Sequence, residues 1–154
     1  MIGIRKMTTD DIPRVAELEA EIFANPWLEK VYRETLVIEG VEYVVAMDGD
    51  EIIGAAGVRN ILGTGEITNV MITPEYRRRG IGKMMIADLL ERGRRLGIRD
   101  FTLEVRVSNT AAIRLYEGFG FKSAGIRPGY YINPKEDAYI YWLMEDEASQ
   151  GEIC

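Results

Sequence analysis

The segment from residue 66 to residue 97 constrains the fold most. Residues 66–73 read as a strand that stops at Pro74. A basic turn follows, Arg77-Arg78-Arg79-Gly80-Ile81-Gly82-Lys83. From Gly80 to Leu96 apolar residues recur at helical spacing. Ile81, Met84, Met85 and Leu96 are expected along one face, with Ala87 and Leu89 flanking it. Gly97 supplies the C-terminal stop. A strand feeding a long helix through a glycine turn belongs to a layered domain of sheet and helices. The first N–H groups of such a helix lack intrahelical partners and carry the positive end of its dipole, so they bind anions. Gly80 and Gly82 have no side chain to block a phosphate, and the arginines and Lys83 add positive charge. The plainer reading of the same residues is a solvated helix start.

Two nucleotide-binding turns do not fit. A P-loop would need glycine where Arg77 stands and Ser or Thr where Met84 stands. A Rossmann turn would need a small residue at Met85.

The rest of the chain alternates strands and helices. Residues 2–6 suit an edge strand, and Thr8, Thr9, Asp10 and Asp11 suit a helix start. Ile12, Val15, Leu18, Ile22 and Phe23 then repeat at helical spacing until Asn25-Pro26. A second helix is expected over 28–38, with Val31, Thr35 and Ile38 on one side and Gly40 as its stop. Residues 41–47, 51–60 and 66–73, joined by Asp48-Gly49-Asp50 and Gly63-Thr64-Gly65, predict an antiparallel meander. A strand over 99–107 and a helix over 109–119 follow, Leu115 and Phe119 being the expected core residues of that helix. Strands 120–126 and 138–144 close the chain, with a loop at 128–131 between them. This order predicts an α/β (α+β) fold, a mixed, mostly antiparallel sheet of about seven strands flanked by about four helices on both faces. Residues 1–145 are expected to form one domain and 146–154 a flexible acidic tail.

Composition removes whole classes of chemistry. The chain of 154 residues has no histidine, which excludes an imidazole base, a His-ligated metal and a Ser-His triad. Its one cysteine, Cys154, is the last residue, so no internal disulfide or Cys-rich zinc site exists. That poverty fits a cytoplasmic protein. MIGIRKMTTD lacks the apolar core of a signal peptide, and no apolar run approaches membrane-spanning length. With 19 basic against 25 acidic residues the net charge is −6, which argues against a nucleic-acid partner.

The turn Arg77-x-x-Gly80-x-Gly82 after a strand resembles the pyrophosphate loop of the GNAT acetyltransferases. The likeness extends to LEVRVSNTAAIRLYEGFGF (103–121), GIRPGYY (125–131) and EDAYIYWL (136–143), which resemble the RimI branch, and it covers roughly residues 2–144. The resemblance implies the GNAT fold, acetyl-CoA as donor without a metal, and a protein N-terminus as acceptor. In the RimI branch that terminus is notably an alanine of a small-subunit ribosomal protein. One departure stands out. The family pattern Pro-Trp-Ser is here Pro26-Trp27-Leu28, and leucine cannot cap a helix.

By the same resemblance Glu104 is the proton acceptor and Tyr116 the proton donor. The backbone of Val70, Met71 and Ile72 holds the pantetheine arm. Arg78, Arg79, Gly80, Ile81, Gly82 and Lys83 cradle the pyrophosphate, and Asn109 contacts the cofactor. Trp27, Leu28, Tyr130 and Tyr131 are expected to form the peptide slot. The residues themselves leave alternatives open. Glu104 alternates with Leu103 and Val105 on an apolar strand, so it needs a partner or a purpose, and balance by Arg106 would suffice. Tyr116 could be a packed ring, and the paired tyrosines could be a half-buried turn. The acceptor also matters. An N-terminal amine has a pKa near 8 and lysine near 10.4, so about 10% of the former is neutral at pH 7 against about 0.04% of the latter. That gap is worth roughly 3.3 kcal/mol, and an N-terminal acceptor asks less of a base. Rival readings are an acetyltransferase for a small amine or a lysine side chain, a CoA-holding module without turnover, and an RNA binder using Arg77, Arg78, Arg79 and Lys83.

Overall fold

A computed structural model of the chain describes residues 1–144; the expected tail 146–154, with Cys154, lies outside the described residues. The strands are β1 (Ile2–Lys6), β2 (Val41–Asp48), β3 (Glu51–Ile61), β4 (Thr64–Ile72), β5 (Asp100–Arg106), β6 (Lys122–Tyr131) and β7 (Glu136–Met144). The helices are α1 (Ile12–Ile22), α2 (Glu29–Leu36), α3 (Ile81–Arg95) and α4 (Thr110–Gly118). They alternate in the order the periodicities predict. The seven strands form one mixed sheet, β1-β2-β3-β4-β5-β7-β6, with β1 at one edge as expected. Only β4 and β5 run parallel, because α3 crosses over between them.

Strand alternation puts apolar side chains on both faces of the sheet, and helices cover both. On one face α3 and α4 enclose Val44, Phe101, Leu103 and Tyr141. On the other, α1 and α2 enclose Tyr43, Val45, Ala55 and Met71. Each buried Val, Leu, Phe or Met among these contributes about 1.5–3 kcal/mol. Among the described residues no helix is long and apolar enough to cross a membrane.

Several predicted faces and bounds change in the structure. α2 stops at Leu36 and buries Tyr32, while Ile38 lies exposed beyond its end. The expected side of Val31 and Thr35 is only half-buried, because Tyr32 and Leu36, one helical turn apart, face α1 instead. On α3, Met84 and Leu96 are exposed, and Ile86 and Leu90 join Ile81, Met85 and Leu89 in the core. This helix lies across β2 and β3 as well as β4, so a wider arc of it is covered. On α4 the buried residue is Tyr116, and Leu115 and Phe119 are half-buried. β6 continues through two irregularities to Tyr131, so Tyr130 and Tyr131 end a strand rather than form a loop.

Candidate active site

The site begins where the sheet splits. β4 and β5 pair only at Thr64, Gly65 and Glu66 with Asp100, Phe101 and Thr102. Beyond these, β5 pairs with β7 alone through Arg106. A bulge in β4 accounts for the parting. Ala55 faces Met71 and Gly57 faces Thr68, so Asn69 and Val70 stand against the single residue Ala56. Asn69 takes the left-handed conformation, φ 56°. An extra residue bends its strand and interrupts the ladder. The result is a wedge in which the β4 edge at Val70–Ile72 has no β5 strand paired to it. Of these three residues, the Met71 side chain is buried against α1 and α2, while Val70 and Ile72 pack toward α3 and α4.

α3 starts at the mouth of this wedge. Its N-cap is Gly80, left-handed at φ 77°, a conformation that costs an L side chain strain. The first helical bond runs from Met84 N–H to Gly80 C=O at 3.2 Å, which leaves the N–H groups of Ile81, Gly82 and Lys83 as the orphan donors of the first turn. A Cβ on Gly82 would lie 3.3 Å from Leu115 Cδ2 and 3.4 Å from Ile72 Cδ1, so glycine lets the helix start close to β4 and α4. The Ile81 side chain is buried and fixes that start in the core. Arg78 and Lys83 are exposed at the mouth. The Arg79 guanidinium lies 4.9 Å from the Tyr76 ring centroid, and Arg77 Nε donates to Ile72 C=O at 3.2 Å. An open wedge, bare helix N–H groups and flanking cations together suit an extended ligand ending in phosphates.

Glu104 and Tyr116 lie on opposite faces of the sheet. Phe101, Leu103 and Val105 face α3 and α4, so Glu104 lies on the other face, partly covered, with 21% of its side chain exposed. Its ion-pair partner is Arg127, 3.3 Å from Oε1, and not Arg106. Arg106 pairs with Glu136 at 3.1 Å and stacks over Tyr131 at 4.3 Å. Tyr116 is 5% exposed and packs edge-on against Phe121 at 5.7 Å. Burial raises its phenol well above the ordinary tyrosine range, and Tyr131 adds to the effect. Tyr131 feels Glu104 as well. Burial first, then Tyr130 and Glu104, push its pKa up to about 12.

The two expected slot segments meet. Asn25 Nδ2 donates to Ile132 C=O at 3.5 Å, joining the α1–α2 loop to the β6–β7 hairpin. Leu28 is two-thirds exposed and starts α2 without a side-chain cap. Trp27 turns inward, edge-on to Tyr32 at 5.2 Å. Tyr130 and Tyr131 stand perpendicular at 5.0 Å, with Tyr130 half-exposed. Asn109 caps α4, its Oδ1 accepting from Ala112 N–H at 3.2 Å, which leaves its amide group for a ligand. Among the described residues no group of His, Cys, Asp and Glu is placed to hold a metal ion.

Comparison with known proteins decides the family. The model of the acetyltransferase (GNAT) family matches residues 12–121. The chain belongs to the GNAT acetyltransferase family. Among relatives of this GNAT chain, the putative ribosomal protein bS18-alanine N-acetyltransferase of Bacillus subtilis is 36% identical over 94% of this chain and 97% of its own. The ribosomal protein bS18-alanine N-acetyltransferase of Escherichia coli K12 is 32% identical over 93% of this chain and 97% of its own. The crystal structure of the ribosomal-protein-S18-alanine N-acetyltransferase from Escherichia coli superposes with a TM-score of 0.84 at 32% identity, covering 93% of each chain. By family, this chain is an acetyl-CoA-dependent N-acetyltransferase.

The candidate site has further residues beside it that sequence reasoning missed. Arg127 was invisible because its contact crosses an intervening strand, β7. Glu19 left a signal. It falls at the spacing of Ile12, Val15 and Ile22 on α1, a carboxylate in an apolar stripe, and it is 1% exposed. Its carboxylate accepts from the Trp27 backbone N–H, the Tyr32 hydroxyl and Asn69 Nδ2.

Proposed function

We propose that this GNAT enzyme acetylates the α-amino group of an alanine N-terminus on a small-subunit ribosomal protein, in the cytoplasm. The observation that carries the reading is the position of Glu104, a carboxylate one-fifth exposed on the sheet face away from α3 and α4, beside the β4–β5 wedge. The full-length likeness to bS18-alanine N-acetyltransferases supports the choice of acceptor. The donor fits the residues present. Backbone of Val70–Ile72 would bind its extended arm, the first turn of α3 with Arg78, Arg79 and Lys83 its pyrophosphate, and the Asn109 amide its flank. When bound, acetyl-CoA supplies an acetyl carbon activated as a thioester.

The chain's own residues do the rest. Glu104 accepts the proton that the α-amine loses as its nitrogen bonds the acetyl carbon, directly or through one water. Backbone N–H groups along the β4 bulge would donate to the carbonyl oxygen as it gains negative charge. Tyr116 donates to the sulfur as the carbon–sulfur bond breaks. Its raised pKa keeps the phenol protonated at working pH. The same shift makes full transfer to a thiolate of ordinary pKa, about 8.5, uphill, so Tyr116 acts mainly as a hydrogen-bond donor during bond breaking. Leu28, Tyr130 and Tyr131 line the acceptor slot, while Trp27 braces it from within.

The test is mass spectrometry of peptides with Ala, Ser, Met or Gly N-termini, each with an internal lysine, after incubation with acetyl-CoA. Acetyl confined to the alanine terminus is the expected result. Acetyl on lysine, or on no peptide despite CoA binding, would move the assignment to another amine or to a module without turnover.

A further inference from the structure

Glu19 joins the two halves of the site. A buried carboxylate is costly unless its lone pairs are filled, and all three donors to Glu19 are neutral groups drawn from elements that flank the slot and the wedge. Trp27 N–H belongs to the acceptor loop one residue before Leu28. The Tyr32 hydroxyl belongs to α2. Asn69 Nδ2, at 2.9 Å, belongs to the β4 bulge one residue before Val70. Asn69 is held from the other side, where its Oδ1 accepts from the Tyr43 hydroxyl at 3.0 Å, and Tyr43 in turn lies 3.1 Å from Thr68 Oγ1.

We propose that Glu19 is a positioning residue: it sets the acceptor loop against the donor-binding strand, so that the slot and the wedge keep one relative placement. This rests on the acetyl-transfer reading for its kinetic consequence, but the placement itself is read independently. The chemistry demands a carboxylate. Oε1 accepts from Tyr32 and Asn69, and Oε2 accepts from Trp27. A glutamine has the same shape but must turn an NH2 group toward one of those donors. One arm of the junction then breaks, while the ring packing of Trp27, Tyr32 and Tyr43 survives.

The experiment compares wild type, Glu19→Gln, Tyr32→Phe and the reciprocal pair Glu19→Gln with Asn69→Asp, each first shown to be folded by its thermal transition. Two readouts are taken: hydrogen exchange over residues 23–31 and 66–72, and KM for an Ala-terminal peptide beside Kd for acetyl-CoA. Expected for Glu19→Gln are faster exchange in both segments, a peptide KM raised about tenfold (about 1.4 kcal/mol) and an acetyl-CoA Kd within about twofold of wild type. Tyr32→Phe, which removes one donor and leaves the ring, shifts both readouts the same way by a smaller amount. The reciprocal pair, in which the introduced amide donates to the introduced carboxylate, recovers most of the peptide KM. Unchanged exchange at 23–31, or equal weakening of both ligands, would overturn the proposal. Should wild type acetylate no peptide, the alanine reading fails and the exchange data still decide the role of Glu19.

Discussion

Arg127, on the outermost strand β6, donates from Nε to Oε1 of Glu104, two strands inward on β5, at 3.3 Å. The strand between them carries Ala138 opposite Arg127, a methyl group that leaves the path open. The pair holds one carboxylate oxygen, and in the proposed reaction the other would serve the acceptor. Arg127 is about half-exposed, so the contact orients more than it stabilises. Glu104→Gln is expected to lower kcat by about 10²–10⁴-fold with acetyl-CoA affinity retained. Arg127→Gln is expected to lower kcat by less than about tenfold and to cost under about 1 kcal/mol of stability. Steady-state kinetics with calorimetric titration of CoA checks both, and full turnover by the Glu104 variant would remove it as base.

Tyr116→Phe keeps the ring contact with Phe121 and removes only the hydroxyl. A fall in kcat of about 10–100-fold is expected, less than for Glu104, because a hydrogen bond and not a full proton transfer is lost. Since burial raises the Tyr116 pKa, its deprotonation does not limit the wild-type rate below about pH 10. A pH–rate profile with an alkaline limb near pH 8.5 that vanishes in the Phe variant would contradict this.

Gly80→Ala tests the donor cradle. The site is open, with nothing within 4 Å of an added Cβ, so sterics do not oppose the change. The left-handed φ of 77° does, at about 1–2 kcal/mol. Relief of that strain would turn the first N–H groups of α3 away from the ligand. Isothermal titration should show acetyl-CoA binding weakened about tenfold, while the peptide KM at saturating donor stays near wild type.

Gly57→Ala should destabilise the fold itself. A Cβ there would lie 2.2 Å from Tyr43 Cζ, and Tyr43 holds Asn69 in the bulge. Overpacking of this kind costs about 1–3 kcal/mol. A thermal transition equal to wild type would mean that the Tyr43 ring moves freely, and that the bulge does not depend on it.

Buried tyrosines set the alkaline limit of the fold. Burial is the first cause raising the pKa of Tyr32, Tyr43, Tyr116 and Tyr131, and Tyr43 and Tyr131 reach about 12. A raised folded-state pKa means that the unfolded chain loses its protons first. The stability these groups contribute is therefore complete below pH of about 10 and drains away as pH rises toward about 12. Thermal midpoints should be flat from about pH 8 to 9.5 and fall steeply above 10, with Tyr32→Phe falling less steeply.

Local pattern determined much of this protein. Alternation and helical spacing set every strand and helix in order, Gly80 and Gly97 bounded α3, and the Arg77–Lys83 turn put glycines and cations at its start. These features follow from backbone preferences within a few residues, so the chain states them directly. Tertiary structure decided the partners. Arg106 sits two residues from Glu104 and is its nearest balance along the chain, yet Glu136 and Tyr131 claim it, because β7 lies between β5 and β6. Tyr116 is buried and Leu115 half-buried because α4 meets Phe121 at its far end. Glu19 acquires its role only when α1, α2 and the β4 bulge converge on one carboxylate. Contacts of this kind depend on strand order and register across separations of tens of residues. No local periodicity carries that information, since the same alternation serves any neighbour that folding brings alongside.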